Sequence, residues 1–394
     1  MRWVEALSTE TELSAAIKGC AEALGEIPEG GFDLVFVFAS PTYPDVVRLG
    51  EWVAEAVPCR HVIGCTGGGI IGGGREIESS AAVSLLAARL PDVAVVPFHL
   101  TTADLENLPP GPGAWEDRLG VPRGGGADFV VLADPFSFLA EALTQGIDYA
   151  YPGARVVGGL ASGGEGPGQN HLFLDGQAFT EGAVGVAVSG DIAVETVVAQ
   201  GVRPVGPTYL VTRAERQLLF ELDGQPVMSV LESFFAGLSP EEMELAGRAL
   251  FLGISQRADN DSPEHGDFLI RNLLGVVQEQ GALAIGERLR EGQLVRFHVR
   301  DAATSSEDLA LLLSGYAHRR GSGGPAGALL FSCLGRGRSL YGESDHDSRV
   351  FRDLFGPVSM GGFFCNGEIG PVGDATYLHG YTSSFALFHP GPAS

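Results

Sequence analysis

The chain has 394 residues, 45% of them hydrophobic, with a mean hydropathy of +0.15, 57 glycines and 23 prolines. That is enough chain for a large core in two or three domains, and it is turn-rich without being low-complexity. Twenty-five Lys and Arg against 49 Asp and Glu give a net charge of −24, which makes nucleic acid and anionic membrane surfaces poor partners and favours solubility through self-repulsion.

The first residues, Met1-Arg2-Trp3-Val4-Glu5, carry neither the basic segment nor the apolar stretch of a signal peptide. No apolar run approaches the roughly 18 residues of a membrane span. The five cysteines (Cys20, Cys59, Cys65, Cys333, Cys365) are an odd set without CxxC spacing. A reducing, cytoplasmic setting without disulfides is the expectation.

In chain order, residues 8–25 read as a helix, with Thr9 and Glu12 at capping-box spacing and Leu13, Ile17, Cys20 and Leu24 on one face. Leu34–Ala39 is an almost fully apolar run and predicts a buried strand. Ser40-Pro41 then reads as an N-cap with proline at the first helical position, and Val46, Gly50, Val53 and Val57 line one face of the helix. Val62-Ile63 starts a strand that runs into a glycine turn, and Ala81–Ala88 and Val93–His99 read as two more strands.

That order returns. Asp134-Pro135 lies 94 residues after Ser40-Pro41 (134 − 40 = 94), and Gly158 lies 94 residues after Gly64 (158 − 64 = 94). Phe138, Leu139, Leu143 and Ile147 supply the intervening helix, and Ala183–Ser189 and Val194–Ala199 the trailing strands. The N-terminal half therefore reads as an internal duplication, with repeats at about 30–105 and 125–205 joined by a loop over 109–126. Gly201–Pro207 reads as a second break. Beyond it come strands at Leu218–Leu222, Phe251–Ser255, Phe268–Arg271, Leu294–Val299 and Ala328–Ser332, and helices at Pro226–Ala236, Ser305–Ser314 and Ser348–Phe355. This later part repeats the grammar loosely, without a clean offset. The expected fold is mixed α/β (α+β), with a duplicated N-terminal domain at 1–206 and a second mixed α/β domain at 207–390.

Candidate functional residues sit on glycine turns that end strands. One is Gly64-Cys65-Thr66-Gly67; the other is Cys365-Asn366-Gly367-Glu368, followed by Leu378-His379-Gly380. Such turns let a ligand approach main-chain N–H groups. Gly67-Gly68-Gly69-Ile70-Ile71-Gly72 matches GxGxxG literally, but the helix that would hold a pyrophosphate does not follow. Cys65, Cys333 and Cys365 are either small buried residues beside turns or the lining of a shared pocket. A nucleophilic thiol needs a base, and His379 is the histidine in a comparable context. Glu368 and Asn366, on alternate positions, either orient a ligand amino group or bond neighbouring backbone. Arg336, between Gly335 and Gly337, either forks onto a ligand carboxylate or lies on the surface with Arg338. Asp345-His346-Asp347 is contiguous and the cysteines lack zinc spacing, so neither a metal nor any other cofactor is expected.

The turns Val62-Ile63-Gly64-Cys65-Thr66-Gly67 and Phe364-Cys365-Asn366-Gly367-Glu368-Ile369-Gly370-Pro371 resemble the hallmark turns of the FIST family, as do Phe331-Ser332-Cys333-Leu334-Gly335-Arg336-Gly337 and Leu378-His379-Gly380-Tyr381-Thr382. The resemblance spans nearly the whole chain. It implies paired FIST N-terminal and C-terminal domains and a sensory module for small ligands such as amino acids. The expected site is then Gly64, Cys65, Thr66, Cys333, Arg336, Cys365, Asn366, Glu368 and His379, recognising a small polar metabolite without turnover and signalling through a protein partner. The alternatives are a cysteine-dependent enzyme acting on a small metabolite and a protein-interaction adaptor, the latter weakened because no F-box fits before the first predicted strand.

Overall fold

The computed structural model describes residues 1–256, 267–321 and 323–391. The fold is mixed α/β, in two compact units: Met1–Ala199 with Leu309–Ser394, and Gln200–Asp308. The sequence reading groups 207–390 as one domain; in the structure Leu309–Ser394 packs with the N-terminal residues instead.

The first unit opens with β1 (Arg2–Ser8) and α1 (Leu13–Ala23). The helix starts later than 8–25 suggests, and its N-cap is Glu12 with no side-chain cap bond, so the Thr9–Glu12 box does not form. Three blocks of one design follow. The first is β2 (Phe32–Ala39), α2 (Leu49–Ala56), β3 (Cys59–Thr66), the hairpin β4 (Ile70–Gly72) and β5 (Arg75–Ile77), then β6 (Val83–Arg89) and β7 (Val93–Leu100). Helices α3 (Thr102–Glu106) and α4 (Pro112–Leu119) lead into the second: β8 (Asp128–Ala133), α5 (Ala140–Ala150), β9 (Val156–Leu160), the hairpin β10 (Leu172–Leu174) and β11 (Gln177–Phe179), then β12 (Ala183–Gly190) and β13 (Ala193–Ala199).

The second unit holds β14 (Arg203–Glu215), β15 (Leu218–Leu222), β16 (Gln225–Pro226), α6 (Val227–Ala236), α7 (Pro240–Arg248), β17 (Leu250–Ser255), β18 (Phe268–Val277), β19 (Ala282–Ile285) and β20 (Leu294–Val299). Gly201–Pro207, expected as a break, lies mostly within β14. Strands β14, β20, β17, β18, β19 and β15 pair in that order, and β15 pairs back onto β14, so the sheet closes on itself. Its interior packs Val211, Leu252, Phe297 and Leu283 beneath Val227, Leu231 and Phe234 of α6.

Helix α8 (Ala302–Arg320) leads into the third block: β21 (Gly327–Cys333), α9 (Gly337–Tyr341), α10 (His346–Phe355), β22 (Met360–Cys365), the hairpin β23 (Glu368–Val372) and β24 (Ala375–His379), and β25 (Ser383–His389).

The three blocks interlock in a ring. In each, a parallel pair (β2/β3, β8/β9, β21/β22) is flanked by an antiparallel strand (β6, β12, β25). Each block lends its hairpin to a neighbour: β4 pairs with β22, β10 with β3, and β23 with β9. The first two also lend a last strand, β7 to β12 and β13 to β25. The third block ends at β25, and the chain's own first strand takes the missing place, β1 on β6. Three six-stranded sheets result. Their inner faces share one core containing Phe36, Phe38, Val130, Leu132, Phe331, Phe363 and Phe388.

One glycine per block explains why the parallel pairs sit so close. A Cβ on Gly64, Gly158 or Gly362 would lie 1.8, 1.8 or 1.9 Å from the carbonyl oxygen of Val37, Val131 or Leu330, so no side chain fits at any of them. Two local expectations are corrected. Ser40 does not cap a helix; its Oγ accepts from Ala82 N at 3.0 Å and ties β2 to the start of β6. Residues 109–126 are not all loop, because Pro112 opens α4 at its first turn and Gly120, at φ 69°, closes it.

Candidate functional site

The chain leaves β3, β9 and β22 through three equivalent turns. Thr66 N, Leu160 N and Phe364 N donate to the oxygens of His171, Gly367 and Gly69, so each strand end is clamped by another block's hairpin at 2.9, 2.8 and 2.9 Å. Two residues on, at Gly68, Ser162 and Asn366, the turns reach one another. Ser162 N donates to Thr66 O and Asn366 N to Leu160 O, both at 3.1 Å. Gly68 N donates to Ser162 Oγ at 2.8 Å, and that hydroxyl donates onward to Phe364 O. Ser162, fully buried, therefore joins all three blocks at one point. Gly68, Gly163 and Asn366 are exposed beside it. A Cβ on Gly163 would come within 2.5 Å of the Pro41 ring, so glycine is what lets these turns meet.

The structure brings the thiols together beneath this junction. Cys333 and Cys365 are register partners on β21 and β22, and Cys65 and Cys333 both act electrostatically on Cys365. Cys65 and Cys365 are fully buried; Cys333 is half-buried. Burial pushes the Cys65 thiol far up, and burial, then Glu368, then the other two thiols do the same to Cys365. Both are neutral thiols at physiological pH. Gly64 serves close strand packing, and Thr66 is buried with its Oγ1 accepting from His171 N at 3.1 Å.

Asn366 and Glu368 point to opposite environments. Asn366 is exposed, whereas Glu368 is fully buried with Oε2 accepting from Thr382 N at 3.1 Å. His379, its register partner on β24, is buried too and donates from Nε2 to Gly370 O at 2.9 Å. Cavities of 480 to 660 Å³ open elsewhere, and no residue of the cysteine turns lines them.

Arg336 is fully buried, away from the surface where Arg338 lies. It forks onto Asp347 (Nε–Oδ2 2.9 Å, Nη2–Oδ1 3.2 Å) and also donates to Tyr341 Oη and Tyr381 O. Asp347 further accepts from Ser332 and Ser383 and contacts His346 Nδ1 at 3.0 Å. Burial opposes its charge, but Arg336, His346 and Ser383 outweigh that and hold the carboxyl far below the usual range. Glu76, from β5 in the first block, completes this network. Its Oε1 accepts from Ser348 N and Oγ at 2.7 and 2.9 Å, and its buried Oε2 makes no hydrogen bond among the described residues. Burial, then the Asp347 charge, push Glu76 up to about 8. One carboxyl of this pair holds the charge and the other the proton. Among the described residues no group of three or more His, Cys, Asp or Glu is placed to hold a metal ion.

The sequence reading missed Ser162, Asp347 and Glu76. Ser162 was reachable: it lies 94 residues after Gly68 (162 − 68 = 94), at the period of the duplication. The other two carry no motif, since distant segments bring them to their partners.

A ring of three α/β blocks whose turns meet in hydrogen bonds, with a closed antiparallel sheet inserted in sequence between the second block and the third, defines a two-unit α/β scaffold. The family model for the FIST N domain matches residues 33–225 and that for the FIST C domain residues 228–371. The chain belongs to the FIST family, whose domains are generally sensory, small-ligand-binding modules. It is 39% identical over 375 residues to an uncharacterized protein of Mycobacterium tuberculosis (strain H37Rv), covering 95% of this chain and 96% of that one. It is 36% identical over 383 residues to another from Mycobacterium bovis, covering 97% of each. Among solved structures, the cyanuric acid hydrolase from A. caulinodans aligns over 99% of this chain and 100% of its own at 9% identity and a TM-score of 0.34. At that score the two backbones follow each other too loosely to transfer any feature. No helix among the described residues is long and apolar enough to cross a membrane.

Proposed function

We propose that this protein is a cytoplasmic sensor of a small polar metabolite, an amino acid or a close relative, that docks where the three block turns meet. The observation that carries the reading is the convergence of Gly68, Ser162 and Asn366. Here three chain segments from distant parts of the sequence hydrogen-bond one another, and an exposed carboxamide stands beside two exposed glycines. Asn366 offers both a donor and an acceptor to a zwitterion, and Gly68 and Gly163 leave the main chain open to close approach. The buried groups expected in the site take another part. Glu368 and Arg336 tether the Tyr381–Thr382 link between β24 and β25, Glu368 by holding Thr382 N and Arg336 by clamping Asp347 to Tyr381 O. Ligand binding across a junction of three blocks favours one arrangement of the turns over others, and that difference is what a signalling partner would read.

The thiol-enzyme reading has less support. Cys65 and Cys365 are buried and neutral, so neither supplies the thiolate a nucleophile needs. The test is a thermal-shift screen of the full chain against amino acids and related metabolites. A ligand at 100 times its Kd adds about 2.7 kcal/mol of stability. Asn366→Ala should abolish the shift while leaving the unliganded melting point unchanged, since the side chain is exposed. Hits that survive Asn366→Ala would refute this location.

A further inference from the structure

A cavity of about 480 Å³ opens on the second unit, between the start of β14, the β15–β16 turn and α6. Its size falls within the range of small-molecule sites. β14 makes it possible: the register on β20 slips between Val205 and Thr208, and Gly206 (φ 70°) and Pro207 bulge out of the ladder. The bulge is held, because Arg296 Nε donates to Gly206 O at 2.8 Å. A Cβ at Gly206 would approach the Phe234 ring to 3.1 Å, so glycine keeps this wall open. Bulges of this kind re-aim side chains at sites.

The lining has a specific chemistry. Tyr209, Leu222, Val230 and Phe234 give an apolar, aromatic wall, and the ionisable side chains on the lining, Tyr209 apart, are the carboxylates of Asp223 and Glu242. Tyr209 and Phe234 both pack on Phe297, so the wall is continuous with the interior of the closed sheet. Glu242 is committed to the Ser239 capping box and lies 3.4 Å from Arg203, which offsets its charge. Asp223 sits at the turn with φ 50°, and Oδ1 accepts from Leu210 N at 2.8 Å, which fixes the carboxylate at the cavity edge. Among the residues of the lining, nothing positive answers it.

We propose that this cavity is a second binding site, separate from the junction of the first unit, for an organic ammonium ion with an apolar or aromatic body. The body lies against Tyr209 and Phe234, and the ammonium group pairs with Asp223. Aromatic faces and a carboxylate together favour a cation over a neutral molecule of the same shape.

The probe is phenethylammonium chloride, with 2-phenylethanol as its uncharged counterpart, titrated calorimetrically into the full chain. Saturable binding is expected for the amine, about tenfold tighter than for the alcohol, with the preference shrinking as salt is raised. Asp223→Asn keeps the acceptor for Leu210 N and tolerates the positive φ; it should bring amine and alcohol to equal affinity. Ser233→Trp, at an exposed lining position of α6, should block both. Asn366→Ala should leave amine binding unchanged, so failure of the junction site and of this one are read separately. Equal affinities in the unaltered protein, absence of saturation, or a preference that persists in Asp223→Asn at any salt concentration would overturn the proposal.

Discussion

Glu76→Gln should stabilise the protein, and by an amount that grows with pH. The glutamate keeps its proton in the folded state up to about pH 8 and loses it near its ordinary value of 4.5 when unfolded. Because the folded pKa is the higher one, Glu76 takes up a proton on folding. Its contribution is fully present below pH 4.5 and is lost as pH rises toward 8, at roughly 1.4 kcal/mol per pH unit. The accumulated cost is roughly 3 kcal/mol at pH 7 and levels off above pH 8. A glutamine has the same shape, can still accept from Ser348 N and Oγ through its oxygen, and puts an amide donor where the unbonded Oε2 stands. It has no proton to take up. Urea unfolding of both proteins between pH 5 and about pH 9.5 checks this: the stability difference should widen steadily in favour of the variant up to about pH 8 and then flatten. A difference that stays constant with pH, or one that turns against the variant at pH 8, would refute the assignment of the proton to Glu76.

The partner group behaves oppositely: Asp347→Asn leaves the Arg336 charge buried and uncompensated and should cost about 3–5 kcal/mol, measurable as a lowered denaturation midpoint. In alkylation with iodoacetamide at pH 7.5, the native protein should protect Cys65 and Cys365, which react only after denaturation; fast labelling of either would mark an activated thiolate and revive the enzyme reading. Gly158→Ala should prevent folding of the first unit, because its Cβ would meet Val131 O at 1.8 Å; a soluble variant with an unchanged circular dichroism spectrum would contradict the close strand approach.

Much of the first unit was legible because its two leading blocks share one period. Gly64 and Gly158 mark it, and the reason is steric: both sit where a neighbouring carbonyl leaves no room for a side chain. The third marker, Gly362, lies 204 residues after Gly158 (362 − 158 = 204), which hides the repeat. The second unit, Gln200–Asp308, accounts for 109 of those residues (308 − 200 + 1 = 109), and without it the spacing is 95 (204 − 109 = 95). An insertion of that length erases periodicity without disturbing the fold. The α4 helix was legible but overlooked: Gly111-Pro112 and Gly120 are a start and a stop signal eight residues apart. At the junction, the sequence singled out turns that the structure brings together, but not the direction of their side chains. Alternation places Asn366 and Glu368 alike, yet Glu368 opens β23 and faces the core while Asn366 remains in the turn outside. Nor does local sequence reveal that Arg336 meets Asp347, since α9 and the approach to α10 must first fold back on each other.

The ring, in which β4 of the first block pairs with β22 of the third, also sets a timetable for synthesis. Ile71 on β4 pairs with Gly362, which emerges 291 residues later (362 − 71 = 291), about 15–60 s at typical elongation rates. Through that interval the β4 edge has no strand to pair with, and an unpaired edge is a template for the wrong neighbour. Here the exposed rung is three residues long, between Gly67-Gly68-Gly69 and Gly73-Gly74, too brief and too pliant to recruit a stray chain before its own arrives.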